Sequence, residues 1–185
     1  MASGNSSVLI FEKQDIPEEG FDIDLCEDSS CFVFENCDFM LNDYVKIKGH
    51  LTLSGDLIYL RGKIAASIVL TCGRCLKEYN FSIQTALQVD FLPGENKPKE
   101  EEIELEPSDL DIYYYDNIKI NLFDPVRDQL LISIPIKPLC NINCAGLCSC
   151  CGQNLNEKKC TCSVLFKIDP RLVPLEKLKS LKEKQ

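Results

Sequence analysis

Polar and apolar residues alternate along 44–54 (YVKIKGHLTLS): Val45, Ile47, Leu51 and Leu53 fall on one side, Lys46, Lys48, His50, Thr52 and Ser54 on the other. A period of two is that of a half-buried strand. Gly55-Asp56 supplies a turn. Residues 57–71 (LIYLRGKIAASIVLT) then read as one long or two short strands, with Gly62 expected at a bulge or bend. The strongest alternation runs over 79–91, with Tyr79, Phe81, Ile83, Leu87, Val89 and Phe91 opposed to Asn80, Ser82, Gln84, Gln88 and Asp90. Pro93-Gly94 closes it. Consecutive runs of this kind predict an antiparallel sheet with one face toward water.

Beyond the sheet, 118–123 (IKINLF) reads as a further short strand or lead-in. Asp124 is an N-cap residue with Pro125 at the first helical position, so 125–133 is expected as a short helix, stopped by 134–139 (IPIKPL). Asp169-Pro170 repeats the signal and opens a terminal helix over 169–185, where Leu172, Leu175, Leu178 and Leu181 recur at helical spacing. The expected fold class is α+β: a mainly antiparallel β-sheet domain with short helices and a C-terminal cysteine-rich, zinc-ribbon-like segment. Four segments follow: an N-terminal arm (1–43), the β domain (44–139) with an insert at 95–116, a cysteine-rich metal-binding segment (140–168), and the C-terminal helix (169–185).

Composition narrows the class. The chain has 185 residues, 45% of them hydrophobic, which suits one domain with a modest core and a small appended module. No run approaches the roughly 18 apolar residues of a membrane span. The opening MASGNSSVLIFEKQD lacks a basic stretch followed by a long apolar one, so no secretory signal is expected. The expected location is a reducing cytoplasm, or an organelle stroma or matrix. The net charge of −9 is uneven: residues 1–44 carry eleven acids and one lysine, and Glu100, Glu101, Glu102, Glu104 and Glu106 crowd the insert. Blocks of like charge are usually solvated. Both stretches are therefore read as exposed, and both cysteine-rich parts lie in mildly basic surroundings.

Twelve cysteines in a reducing compartment favour metal binding over disulfides. Thr71-Cys72-Gly73-Arg74-Cys75-Leu76 places two cysteines at a strand end with Gly between them, half of a tetrahedral site; the same spacing also serves thiol redox chemistry. The second constellation is denser: Cys140, Cys144, Cys148, Cys151, Cys160 and Cys162 stand within 23 residues, with Gly146 and Gly152 placed for turns. A core would use Val or Ala as readily, so packing does not explain that density. Four close pairs match two tetrahedral S4 sites. The expected partition joins Cys72 and Cys75 to Cys140 and Cys144, leaving Cys148, Cys151, Cys160 and Cys162 as a local site. Two structural zinc ions are the expectation, with an iron–sulfur cluster as the alternative acceptor of four thiolates. Cys150 interrupts the spacing and is read as a non-ligand. Cys26, Cys31 and Cys37 are read as free thiols, with a third site as the alternative.

Enzyme signatures are missing from the sequence. His50 is the sole histidine, on the polar side of a strand, and there is no phosphate-binding glycine loop and no dinucleotide fingerprint. No small-molecule substrate is expected.

The ordered motifs resemble a known family. Cys72-Gly73-Arg74-Cys75-Leu76, Leu139-Cys140 through Cys144-Ala145-Gly146-Leu147-Cys148, Cys151-Gly152-Gln153-Asn154-Leu155-Asn156, Cys160-Thr161-Cys162 and Asp169-Pro170-Arg171-Leu172 are similar to the YceD family, the large ribosomal RNA subunit accumulation proteins, over about residues 44–182. Ser149 and Cys150 depart from the Pro and apolar residue that many relatives carry there. The resemblance implies a bacterial or organellar, non-enzymatic factor for 23S ribosomal RNA accumulation or processing and large-subunit assembly. Its partner would be precursor ribosomal RNA or a large-subunit ribosomal protein. On that reading Arg74, Lys77, Lys158, Lys159, Arg171, Lys177 and Lys179 are the cations that would meet phosphates. Two other functions compete: a thiol redox or metal-handling protein using Cys72 and Cys75, and a zinc-dependent protein-interaction module outside translation.

Overall fold

A computed structural model describes residues 9–32, 34, 39–97, 111–116 and 118–162. The strands are β1 (Ile10–Glu12), β2 (Phe21–Asp28), β3 (Met40–Ser54), β4 (Leu57–Thr71), β5 (Glu78–Pro93), β6 (Ile112–Tyr115) and β7 (Lys119–Asn121), followed by one helix, α1 (Phe123–Ile132). β2-β3-β4-β5-β6 form a five-stranded sheet, and β1 pairs with β7. Every pairing is antiparallel except β5 with β6, which is parallel. The molecule is thus mostly β-sheet with one helix and two cysteine clusters among the described residues.

Alternation decides the faces. Val45, Ile47 and Leu51 of β3, Ile58, Leu60, Ile64, Ile68 and Leu70 of β4, and Ile83, Leu87, Val89 and Phe91 of β5 are buried on one side of the sheet. Leu9, Ile16, Phe32, Ile120, Leu122, Val126 and Leu130 complete the core, so the small β1–β7 ribbon and α1 belong to the same cluster. The alternate residues of β2 to β5 face outward.

Two local expectations are corrected, the Gly62 bulge and the start of the helix, and the choice over 57–71 falls to the single strand. Residues 57–71 form one continuous strand, and Gly62 sits in register opposite Gly49 and Leu87 rather than at a bulge. The irregularity lies in β3, between Asn42 and Lys46, where Asp43 adopts φ 51. A Cβ on Gly62 would strike the Lys48 carbonyl oxygen, so the glycine is there for close strand approach rather than for a bulge. Helix α1 starts earlier than its capping pattern suggested: Leu122 is the N-cap, Asp124 lies within the first turn, and the Asn121 Oδ1 accepts from the Phe123 N–H at 2.9 Å. Pro125 remains in the first turn, where a missing N–H costs no helical bond.

The acidic N-terminal stretch was read as an arm outside the sheet; part of it is instead a sheet strand. In β2, Ile23, Leu25 and Glu27 alternate with Asp22, Asp24 and Asp28; the three aspartates are exposed, whereas Glu27 is buried. Three of the four acids of β2 thus lie on the exposed face of an edge strand, where they also discourage further pairing. Phe32 then stacks on Phe123 with ring centroids 5.2 Å apart, tying this stretch to α1. The segment 98–110 of the acidic insert, Cys37, Arg171 and the whole expected C-terminal helix lie outside the described residues.

Candidate metal centre

Each cysteine cluster is built on the same turn. After Cys72, the Leu76 N–H donates to the Cys72 carbonyl (3.0 Å), the Cys72 N–H to the Lys77 carbonyl (2.9 Å), and the Arg74 N–H points at the Cys72 sulfur (3.5 Å). After Cys148, the Gly152 N–H donates to the Cys148 carbonyl (2.9 Å), the Cys148 N–H to the Gln153 carbonyl (2.8 Å), and the Cys150 N–H points at the Cys148 sulfur (3.4 Å). The fourth residue after each leading cysteine is left-handed: Leu76 at φ 59 and Gly152 at φ 72. These two knuckles each aim a pair of thiols, 72 with 75 and 148 with 151, at one point.

The partner thiols come from two places. Cys140 and Cys144 approach the first knuckle from far along the chain, with the Gly73 N–H bonded to the Pro138 carbonyl (2.8 Å) to fix the approach. Cys160 and Cys162 fold back on the second knuckle, after a one-bridge ladder between Leu147 and Asn154. Within each tetrad, 72/75/140/144 and 148/151/160/162, the four sulfurs lie within 4.8 Å of one another. The Sγ–Sγ separations include 3.8 Å for Cys72–Cys144, 3.6 Å for Cys75–Cys140 and 3.3 Å for Cys148–Cys160. A tetrahedral ion with bonds of about 2.3 Å sets its sulfurs about 3.8 Å apart, so the donor set fits such an ion.

Electrostatics point the same way. Backbone N–H groups at its sulfur, that of Cys140 foremost, draw the Cys72 thiol down to about 6, while burial and the Cys75 thiol push Cys140 up to about 12. In the second tetrad the N–H groups of Cys151 and Cys150 bring Cys148 to about 6, and the adjoining Cys151 and Cys160 thiols push Cys162 up to about 12. Four thiolates this close repel one another, so no tetrad ionises fully alone. A bound dication removes that conflict and displaces the remaining protons.

The tetrads differ in setting. Cys72, Cys75 and Cys144 are buried beside Tyr79, Leu139 and Leu147, whereas Cys148 is buried but Cys151 is exposed. Asn156, which the sequence shows only as the end of the Cys151–Asn156 motif, supports the first tetrad: its Nδ2 approaches the Cys144 sulfur (3.3 Å) and its Oδ1 accepts from the Ala145 N–H (2.8 Å). The only sequence signal for it was an Asn-x-Asn between cysteine pairs. Cys150 is exposed and stands outside both tetrads, as do the exposed Cys26 and Cys31.

Of the cations read as phosphate contacts, Arg74 is committed internally, its Nη1 donating to the Cys144 carbonyl at 2.9 Å. Lys77 is exposed on a groove beside the first tetrad, with Tyr79 and Asn141 among its walls. Lys158 and Lys159 are exposed on the loop between Asn154 and Cys160. His50 pairs with Asp22 across β2–β3 at 2.8 Å in a solvent-exposed contact.

A β-sheet protein carrying two four-cysteine centres on matched knuckles is the class that fold and site define. The chain belongs to the YceD family: the family model described as large ribosomal RNA subunit accumulation protein YceD matches residues 60–182. A maize (Zea mays) protein named large ribosomal RNA subunit accumulation protein YCED homolog 1, chloroplastic, is 42% identical over 45 residues, 24% of this chain and 15% of that protein. Its Arabidopsis thaliana namesake is 39% identical over 44 residues, 24% of this chain and 14% of its own. An uncharacterized protein of Mycobacterium tuberculosis is 30% identical over 98 residues, 53% of this chain and 45% of that protein. The chain spans less than half the length of each of these relatives. No solved structure matches it.

Proposed function

We propose that this protein is a non-enzymatic factor for accumulation and processing of 23S ribosomal RNA and for large-subunit assembly, its cysteine-rich segment held by two structural zinc ions. The observation that carries the reading is the family match over 60–182, which takes in most of β4, all of β5 and both tetrads. Four thiolates around one ion leave no open position for substrate, so the metal's role is to hold the chain together. The second site then has the character of a small zinc ribbon: two knuckles' worth of thiols, one bridge and no large apolar core of its own. The partner is precursor ribosomal RNA or a large-subunit ribosomal protein, met in a reducing compartment, cytoplasm or organelle stroma, that keeps twelve thiols available.

Depletion of the protein, followed by quantification of large- and small-subunit ribosomal RNA and their precursors, tests the role. A selective fall of the large RNA, or a rise of its precursor, is expected; an unchanged ratio under verified depletion removes the assignment. A thiol redox function for Cys72 and Cys75 makes a different forecast for Cys75→Ser, namely lost activity in a folded, metal-replete protein. On the structural reading that variant releases about one equivalent of metal and lowers the melting temperature. Metal analysis with a thermal melt separates the two.

A further inference from the structure

The outward face of the sheet breaks a rule of strand pairing. Lys48 of β3 stands directly opposite Lys63 of β4, two like charges, and the next outward pair sets His50, which is charged only when protonated, opposite Arg61. Like charges facing each other across an antiparallel ladder destabilise it. Lys46 extends the group, and on the β5 side Lys63 meets only Ala86, so no acid answers it there. Lys48 and His50 have outward-facing partners on β2, Asp24 at 2.7 Å and Asp22 at 2.8 Å, and Arg61 pairs with Asp90. Among the described residues Lys46 and Lys63 form no ion pair, although the chain as a whole carries −9.

Lys46, Lys48, Arg61 and Lys63, with Asp22 and Asp24 of β2 on one side, rim a groove of about 830 Å³ whose floor includes Gly49, Gly62, Ala65 and Ala86. Small residues at its centre keep it open, and the opposed glycines bring β3 and β4 close there. Beyond the cationic group on the same face stand two aromatic rings, Tyr44 on β3, exposed, and Tyr59 on β4, half-buried with the Arg61 guanidinium 5.6 Å from its ring centroid. A positive groove flanked by stacking rings is the recognition chemistry of single-stranded nucleic acid.

We propose that this groove holds the phosphate backbone of single-stranded RNA, with Lys46 and Lys63 as direct phosphate contacts and Lys48 and Arg61 as supporting charge. The inference rests on the ribosomal RNA reading above but moves the contact from the cysteine-rich segment to the sheet. Juxtaposed cations that weaken the free protein are stabilised when a polyanion lies between them, which gives the unfavourable pairing a use.

The test is fluorescence anisotropy of a labelled, unstructured oligouridylate with the full metal-loaded chain. Binding should weaken steeply with salt, and the double variant Lys46→Glu/Lys63→Glu should bind about tenfold more weakly or worse, with a salt slope shallower by about two. Lys63→Glu places an acid opposite Lys48, so its melting temperature should hold or rise, which separates lost contacts from lost fold. A companion variant, Lys158→Ala/Lys159→Ala, should bind nearly as wild type. Equal binding by the sheet variant, or loss confined to the companion, overturns the inference while leaving the depletion result to decide the ribosomal role. Binding of polyglutamate in preference to RNA overturns it in favour of an acidic protein partner. A wild-type chain that binds neither probe also overturns it.

Discussion

Tyr113 shows how a single side chain joins two elements. Its hydroxyl donates to Asp128 Oδ2 of α1 at 2.9 Å, and its ring lies 6.2 Å from that of Phe91. Burial first, then the Asp128 carboxylate, push its ionisation well above the ordinary tyrosine value. Tyr113→Phe should cost about 1 kcal/mol in urea unfolding, since it removes one hydrogen bond and keeps the ring. The folded tyrosine holds its proton where the unfolded one releases it. Its contribution is therefore complete below the unfolded value of 10.0 and declines as pH rises above it, a loss that should be absent from the Phe variant. The cysteines sort in the same residue-by-residue way: Cys150→Ser should leave two equivalents of metal bound, because its sulfur belongs to neither tetrad.

Among the elements, the β3–β4 hairpin carries the tightest contact. Gly62 faces Gly49 across the ladder with the Lys48 backbone pressed against it, and a side chain there must move main chain rather than a flexible tip. Gly62→Ala should destabilise the sheet by about 2 kcal/mol, measured by chemical denaturation, which is the usual cost of forcing a methyl into a filled space. Gly55→Ala at the hairpin turn would meet no atom within 4 Å and strains only its φ of +62, so its effect should be the smaller of the two. The paired knuckles make the same point about backbone: one uses Gly152 in the left-handed position, and the other sets Leu76 there, with a Cβ that bears the local steric cost glycine avoids.

At the scale of the whole molecule the apolar core and the buried cysteine cluster are distinct groups that meet at Tyr79, which packs against both. The core runs from Leu9 to Leu130, while Cys72, Cys75 and Cys144 form their own buried group with Tyr79, Leu139 and Leu147 at its edge. Removing metal with a strong chelator should therefore release two equivalents per chain, leave the β-sheet circular dichroism largely intact, and open the stretch 140–162 to protease. Simultaneous loss of the sheet signal would show that the first tetrad holds the core as well. Acid should act as a chelator does, because protons compete for the thiolates: metal stays bound near neutrality and leaves as pH falls. A zinc indicator monitored through an acid titration reads this directly.

The sequence by itself determined the sheet faces over β3, β4 and β5, because a period of two leaves one arrangement that buries Val45, Ile47, Ile64 and Leu87 together. It also supplied the eight sulfurs as four close pairs, spaced x2, x3, x2 and x1, while the fold brings 72/75 to 140/144 and 148/151 to 160/162. Counting charge hid β2, three of whose four acids occupy one side of a strand otherwise shaped like its neighbours. Tertiary structure alone decided that Gly62 meets Gly49, that the Arg74 guanidinium reaches the Cys144 carbonyl, that Asn156 reaches the Cys144 sulfur, and that Lys48 faces Lys63. Each of these depends on the register between distant segments, which no local pattern encodes, because a one-residue slip exchanges every partner and every face.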